Sequence, residues 1–290
     1  MSKKILLLTA LLLGTGIFIH AQRTDKKIQS ALSKMISGYQ GDIGIYVKNL
    51  RTGKVAMINA DTIFPTASIV KVPIMLGIVD RMNRGELTYD SLFTYKDSLL
   101  YEGSDILGSF KSGEKIELKK ILMLMLTTSD NTASLWLQSI AGTGTRINSI
   151  LDSLGCKDTR VNSRTPGREA NRAQFGWGQT TPREMGTLFE KIYRYEVFSK
   201  TASERMLRIL GRNFWDENEA ISVIPPTVEV FSKNGCVNAS RSEAMIVNVP
   251  GNPFVFCIFT KNNKDTRWTG ENEAWTMARK LAAWLYDYYN

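Results

Sequence analysis

Three short motifs in this chain combine hydroxyl, amine and amide side chains that could together attack a carbonyl group. They are Ser68-Ile-Val-Lys71, Ser129-Asp130-Asn131 and Lys233-Asn234-Gly235, in that order along the sequence. A serine becomes a nucleophile when a neighbouring base accepts its proton, and that base is often histidine. The only histidine is His20, within a segment that we expect to be removed from the mature protein. We therefore predict that a lysine serves as the base.

The first motif has the spacing that a serine–lysine pair requires. Positions three apart share one face of a helix, so the amine of Lys71 can approach the hydroxyl of Ser68. Burial or a neighbouring cation, such as Lys233, would lower the pKa of Lys71 and free it to accept a proton. The alternative is that Ser68 only caps a helix. Ser112 and Lys115 have the same spacing in a polar segment, whereas Ser68 opens an apolar one.

The other two motifs carry groups that could assist this pair. The hydroxyl of Ser129 could pass a proton to a leaving nitrogen, while Asn131 bonds Lys71 and an amide of the substrate. Helix capping is the alternative for this motif. In the third motif, Lys233 could face an anionic substrate, and Gly235 could let a substrate backbone lie against a strand. The alternative is a lysine on an exposed edge strand that hinders aggregation.

The hydrophobic pattern predicts an α+β fold in which both chain ends contribute to one sheet. Runs rich in β-forming residues predict strands at 42–48, 54–59, 228–236, 244–249 and 254–260. Helical periodicity predicts a helix at each end and further helices between the two groups of strands. We expect a five-stranded antiparallel sheet formed by both termini, flanked by helices, with a central helical lobe. The three motifs would lie in a cleft between the sheet and that lobe.

The first residues of the chain are typical of a secretory signal peptide. Lys3 and Lys4 precede an apolar run at 5–19, and Ala21 stands at the expected cleavage point. The run is shorter than the ~20 residues of a membrane-spanning helix, which disfavours an uncleaved anchor. We predict a signal peptide at 1–21 and an exported protein, periplasmic or secreted, without stable membrane insertion. Residues 22–290 would form one domain with a sheet lobe (about 22–65 and 212–290) and a helical lobe (about 66–211).

The composition is that of an ordinary globular protein. The formal net charge is +9, but basic and acidic residues are mixed and no basic helix stands out, so we expect no nucleic-acid partner. Cys156, Cys236 and Cys257 form no CxxC pair, and we expect neither a metal site nor a cofactor. One disulfide with a free thiol and three buried thiols both remain open. Nothing in the sequence indicates an oligomer, so we expect a monomer.

Taken together, the three motifs resemble the S-x-x-K, S-D-N and K-T-G set of class A β-lactamases and penicillin-binding proteins. A long loop at 158–181, ending in Thr180-Thr181-Pro182, is a further similarity, and the resemblance spans about residues 24–290. It implies that Ser68 is acylated, with Lys71 as its base and Ser129 as a proton shuttle. It also implies that the substrate is bound by Asn131, Lys233, Asn234, Gly235 and Cys236. The backbone amides of Ser68 and Cys236 would form the oxyanion hole.

Two departures from this pattern concern specificity and hydrolysis. Asn234 replaces the usual Thr of the third motif, which keeps a donor for a carboxylate. The family's loop has a Glu that activates the deacylating water and an Asn four residues later, whereas here Glu169 precedes Asn171 by only two. Gly178-Gln179 also replaces an Asp expected before Thr-Thr-Pro. Glu169 either reaches the site after a local rearrangement or remains a surface acid, with slow hydrolysis as the consequence.

The sequence therefore predicts an exported serine hydrolase that opens β-lactam rings through an acyl-enzyme on Ser68. One alternative is a peptidase or esterase of the same fold that acts on cell-wall peptides or small esters. Another is a penicillin-binding protein or sensor that is acylated but deacylates poorly. In each case the substrate is a small molecule or peptide with an amide or ester bond.

Overall fold

A computed structural model describes residues 23–103 and 105–290, so the predicted signal peptide lies outside the described residues. In the described chain the strands are β1 (Asp42–Asn49), β2 (Val55–Ile58), β3 (Phe64–Pro65), β4 (Leu92–Thr94), β5 (Lys115–Glu117), β6 (Arg160–Val161), β7 (Gly178–Thr180), β8 (Val230–Val237), β9 (Ser240–Val247) and β10 (Phe254–Lys261). The helices are α1 (Lys26–Met35), α2 (Lys71–Asn83), α3 (Leu118–Thr127), α4 (Asn131–Ile140), α5 (Thr143–Ser153), α6 (Glu169–Phe175), α7 (Pro182–Tyr193), α8 (Lys200–Leu210) and α9 (Glu273–Tyr289). Among these residues, no helix has both the length and the apolar character needed to cross a bilayer.

The central element is a five-stranded antiparallel sheet with the strand order β2-β1-β10-β9-β8. β1 and β2 come from the first part of the described chain, and the other three strands come from its last part. This arrangement confirms the predicted α+β class and the sheet built from both ends of the sequence. β8 lies at one edge of the sheet, next to the 3-10 turn Ala67–Val70. The third motif therefore lies beside the first.

Both faces of the sheet are covered by helices. On one face, α1 contributes Ile28 and Leu32 to a core that also contains Leu281 and Leu285 of α9. On the other face, α7 packs against β1, β9 and β10. Gly186 lets α7 approach closely, because a Cβ at this position would lie 2.5 Å from the ring of Tyr46. The sheet is thus fixed between two apolar layers, which makes it a rigid support for the residues of β8.

α2 runs through the middle of the helical lobe. Its residues from Lys71 to Asp80 are all buried, and α3, α4, α5 and α8 surround it. A helix that is apolar on every side is stable only when protein surrounds it, as here. The predicted buried helix is therefore present, but Ser68 lies in the 3-10 turn that precedes it.

The segment 158–181 is more regular than the predicted loop. It contains β6, α6 and β7, and β7 pairs with both β3 and β6. These elements are two to seven residues long, which is too short to show a hydrophobic period in the sequence. The helix α7 begins directly after this segment. Thr181 caps α7 by accepting the backbone amide of Glu184 at 3.2 Å, and Pro182 follows at the first helical position.

Candidate active site

The predicted nucleophile and base lie together at the start of α2. Lys71 Nζ donates a hydrogen bond to Ser68 Oγ at 3.1 Å. The preceding residue, Ala67, has a φ of 44°, in the left-handed region that costs a non-glycine residue about 1–3 kcal/mol. Packing of the turn against β8 holds this conformation, and Ser68 is left half-buried at the wall of a cavity.

Lys71 is completely buried and surrounded by oxygen atoms. Besides Ser68 Oγ, its Nζ donates to Ser129 Oγ at 2.9 Å, to the backbone oxygen of Ser129 at 2.5 Å and to Asn131 Oδ1 at 3.0 Å. Burial removes the water that would stabilise an ammonium ion, and the charge of Lys233 adds repulsion, so the pKa of Lys71 lies well below its usual value. Asp130 acts in the opposite direction. A neutral amine in this position can accept the proton of Ser68.

In the second motif, Asp130 has a structural role, while its two neighbours face Lys71. Asp130 caps α4 by accepting the backbone amide of Ala133 at 2.7 Å. Its other oxygen accepts the backbone amides of Ile106 and Leu107 at 2.6 and 2.8 Å. Ser129 adopts a left-handed φ of 60°, which turns both its hydroxyl and its carbonyl toward Lys71. The capping interpretation thus applies to Asp130 alone.

The third motif lies on β8 and is held by contacts within the protein. Lys233 is completely buried, and its Nζ donates to the backbone oxygen and to Oδ1 of Asn234 at 3.0 and 3.1 Å. Asn234 Nδ2 in turn donates to Glu219 Oε1 at 2.9 Å. At Gly235, a Cβ would lie 2.5 Å from the backbone oxygen of Thr66 and 2.9 Å from the amide nitrogen of Ser68. Gly235 therefore lets β8 pass directly beside the nucleophile.

The three cysteines are free thiols, which removes the disulfide alternative for the described chain. Cys156 and Cys257 are buried in the core, and Cys236 lines the cavity next to Ser68. Burial raises the pKa of Cys236 to about 12, so this thiol stays protonated at neutral pH. The predicted oxyanion hole, formed by the backbone amides of Ser68 and Cys236, would open into this cavity.

The cavity in front of Ser68 has a volume of about 670 Å³, and its walls are rich in aromatic side chains. Aromatic residues from widely separated parts of the chain line it: Tyr101, Phe175, Trp177, Phe214, Trp215, Trp268 and Trp275. Ser129 and Asn131 line it as well, together with the acids Glu217 and Glu219. Sequence reasoning did not find these aromatic and acidic residues, because they belong to no short motif and meet only in the folded chain.

The structure does not bring Glu169 to the serine. Glu169 is the exposed first residue of α6, where its Oε1 accepts the backbone amide of Gly167 at 3.1 Å. It is not among the described residues that line the cavity. Negative charge at a helix N-terminus is favourable, and the carboxylate is placed accordingly. Its position corresponds to the surface-acid interpretation.

A different network replaces the missing loop aspartate. Gln179 Oε1 accepts hydrogen bonds from the guanidinium of Arg168 at 2.8 Å and from Nδ2 of Asn171 at 3.0 Å. Arg168 also donates to Asn162 Oδ1 at 2.9 and 3.0 Å. The segment is thus fixed by one arginine and three amides, and this arrangement orients Asn171 toward Gln179.

The α+β fold and the serine–lysine pair place the chain among hydrolases of the serine β-lactamase type. Residues 26–289 match the model of the beta-lactamase enzyme family, and the chain belongs to that family. Beta-lactamase VEB-1 of Pseudomonas aeruginosa is 22% identical to it over 300 residues, which cover 99% of this chain and 98% of that protein.

Two solved structures of PBP-A show the same fold. One is 23% identical with a TM-score of 0.81, and the match covers 92% of this chain and 97% of the PBP-A chain. The other, a mutant solved as an acyl-enzyme complex with penicillin G, is 22% identical with a TM-score of 0.80, and covers 92% of this chain and 98% of its own. The low identities make this protein a divergent member of the class A β-lactamase and penicillin-binding superfamily.

Proposed function

We propose that this protein is an exported serine hydrolase that opens β-lactam amides through an acyl-enzyme on Ser68, with Lys71 as the base. The observation that carries the proposal is the environment of Lys71 Nζ. It is completely buried, has a depressed pKa, and lies 3.1 Å from Ser68 Oγ and 2.9 Å from Ser129 Oγ. A buried amine between two hydroxyls can take a proton from one and return it through the other.

The acylation step follows from these distances. Lys71 accepts the proton of Ser68, and Oγ forms a bond to the carbonyl carbon of the substrate. The carbonyl oxygen becomes an oxyanion, which the backbone amides of Ser68 and Cys236 stabilise. The C–N bond then breaks, and the leaving nitrogen takes a proton from Ser129, which is replenished by the ammonium of Lys71. The product is an ester of Ser68, and Lys71 is neutral again.

Hydrolysis of that ester needs a water molecule activated by a base. The acids among the described residues that line the cavity are Glu217 and Glu219, while Glu169 lies outside it. Glu219 already accepts hydrogen bonds from Asn234 and from the amide of Asn218. We therefore expect acylation to be fast relative to deacylation. This placement favours, as a second candidate, a penicillin-binding peptidase or esterase that uses the same serine.

The place of action and the partners belong to this proposal. Export rests on the basic and apolar pattern of residues 1–21, which predicts a cleaved signal peptide and a periplasmic or secreted protein. The substrate is a small molecule that fits a cavity of about 670 Å³, and the protein acts as a monomer.

Mass spectrometry of the intact protein after mixing with penicillin G tests the proposal. A mass increase of one penicillin, localised to Ser68, supports the acyl-enzyme. Decay of this adduct while penicillin is consumed supports the hydrolase. Persistence of the adduct supports the penicillin-binding candidate. The Ser68→Ala variant is expected to form no adduct. Ser112→Ala is the matched control, because Ser112 also precedes a lysine by three residues but is exposed. An adduct on Ser68→Ala would refute the assignment of the nucleophile.

A further inference from the structure

We propose that the carboxylate of Glu219 makes this active site select substrates with an uncharged or positively charged group beside Asn234, rather than a free carboxylate. The inference rests on the proposed acylation of Ser68 and adds the class of substrate. It concerns the third motif, which was expected to bind a substrate carboxylate through Lys233 and Asn234.

Both ends of the Asn234 amide are already occupied. Its Nδ2 donates to Glu219 Oε1 at 2.9 Å, and its Oδ1 accepts from Lys233 Nζ at 3.1 Å. The Nδ2 group has a second N–H, but a substrate carboxylate that accepts it would lie next to the Glu219 carboxylate. Two carboxylates at one donor repel each other strongly when little water separates them.

The positive charge of Lys233 is not presented to the cavity. Its side chain has no exposed surface and is not part of the cavity wall, and its ammonium donates to two oxygens of Asn234. The carboxylate of Glu219 lies close enough to favour its charged form. The ammonium is therefore balanced from within the protein, and little of its attraction remains for an anionic ligand.

Glu243 holds the backbone that directly follows Glu219. It lies on β9 opposite Asn234, and its carboxyl group accepts the backbone amides of Ala220 and Ile221 at 2.6 and 3.3 Å. Burial, together with repulsion from Glu219, raises the pKa of Glu243 to about 8. Glu243 is then mostly protonated at neutral pH. Burial also raises the pKa of Glu219, but the hydrogen bonds from the backbone amide of Asn218 and from Asn234 oppose that shift, so the negative charge of the pair lies on Glu219, at the cavity wall.

The other nearby cation, Arg241, is also held within the protein. Its guanidinium lies between the rings of Trp268 and Trp275, 4.2 and 4.8 Å from their centroids. It donates to the backbone oxygens of Asn238, Ser240, Thr266 and Arg267. Only 2% of this residue is exposed, and it is not part of the cavity wall.

The described cavity wall thus contains two acids, Glu217 and Glu219, and neither lysine nor arginine. Aromatic faces surround them, and such faces attract cations and accept uncharged groups but do not stabilise anions. The combination favours an ester, an amide or an ammonium group over a carboxylate.

A chromogenic cephalosporin, used as the free acid and as its methyl ester, tests this inference. We expect the wild-type protein to be acylated by the ester at least as fast, per unit concentration, as by the acid. Glu219→Gln keeps a hydrogen-bond acceptor for Asn234 but removes the charge. It should shift the ratio of the two acylation rates, ester to acid, toward the acid by about tenfold, equivalent to about 1.4 kcal/mol. Glu169→Gln is the matched control. It removes an exposed acid that does not line the cavity, and should shift the ratio less than twofold.

The outcomes separate this inference from the proposed function. A wild-type protein that is acylated faster by the acid than by the ester overturns the inference and leaves the acyl-enzyme intact. An unchanged ratio in a folded Glu219→Gln variant also overturns it. The wild-type ratio decides the question alone if that variant does not fold. Absence of any adduct with either compound overturns the proposed function and this inference with it.

Discussion

The contact between β8 and the nucleophile predicts that Gly235→Ala disables acylation. The added Cβ would lie 2.5 Å from the backbone oxygen of Thr66, 2.9 Å from the amide nitrogen of Ser68 and 3.1 Å from Cβ of Ala67. Two of these atoms belong to the backbone, so no side-chain rotation relieves the clash. Either β8 or the turn that contains Ser68 must move.

The size of the effect follows from that distance. The shortest contact is about 0.9 Å below the 3.4 Å at which ordinary contact begins. A displacement of about 1 Å at reacting groups costs roughly 100-fold in rate. Overpacking of this kind destabilises a protein by about 1–3 kcal/mol. The corresponding drop in Tm is about 2–12 °C for a domain of this size.

Stopped-flow acylation with a chromogenic cephalosporin and thermal denaturation measure the two effects separately. We expect acylation of Gly235→Ala to be about 100-fold slower, in a protein that remains folded at 25 °C. Gly211→Ala is the matched control, because a Cβ there would meet its neighbours at 3.5 Å or more. Acylation of Gly235→Ala within twofold of wild type would show that β8 and the Ser68 turn are not held in the contact described here.

Three further predictions concern acidic residues. Glu169→Gln should leave acylation and deacylation by penicillin G within twofold of wild type, because Glu169 is exposed and outside the cavity; a slower deacylation alone would show that it reaches the acyl-enzyme. Asp130→Ala removes three hydrogen bonds that the carboxylate accepts from backbone amides, and should lower the free energy of unfolding by about 3 kcal/mol, measured by urea denaturation. A loss below about 1 kcal/mol would contradict the capping role. The raised pKa of Glu243, about 8, means that the folded protein binds a proton that the unfolded chain releases above pH ~4.5, so stability should fall between about pH 5 and 8. The free energy of unfolding should fall by at most about 1.4 kcal/mol per pH unit in this range. Urea midpoints measured across it should lose this pH dependence in Glu243→Gln, whereas the same pH dependence in variant and wild type would assign the proton to another group.

The sequence predicted the sheet, the buried helix after Ser68 and the meeting of the three motifs. These features depend on local signals, namely runs of β-forming residues, an apolar segment and the spacing of Ser68 and Lys71. It did not predict α6 or the position of Glu169, because a helix of seven residues shows no reliable period. It also missed Glu219 and Glu243, which stand 24 positions apart and come together because Asn234 on β8 bonds Glu219 and pairs with Glu243 on β9.

The pair of acids connects the specificity of the site to its chemistry. Burial lowers the pKa of Lys233 to about 8, and the negative charge of Glu219 opposes that shift. Lys233 therefore keeps much of its charge at neutral pH, and this charge, after burial itself, is the main cause of the low pKa of Lys71. Without the carboxylate of Glu219, the pKa of Lys233 would be lower and its effect on Lys71 weaker. The carboxylate that disfavours anionic substrates at Asn234 thus also helps to lower the pKa of the lysine that activates Ser68.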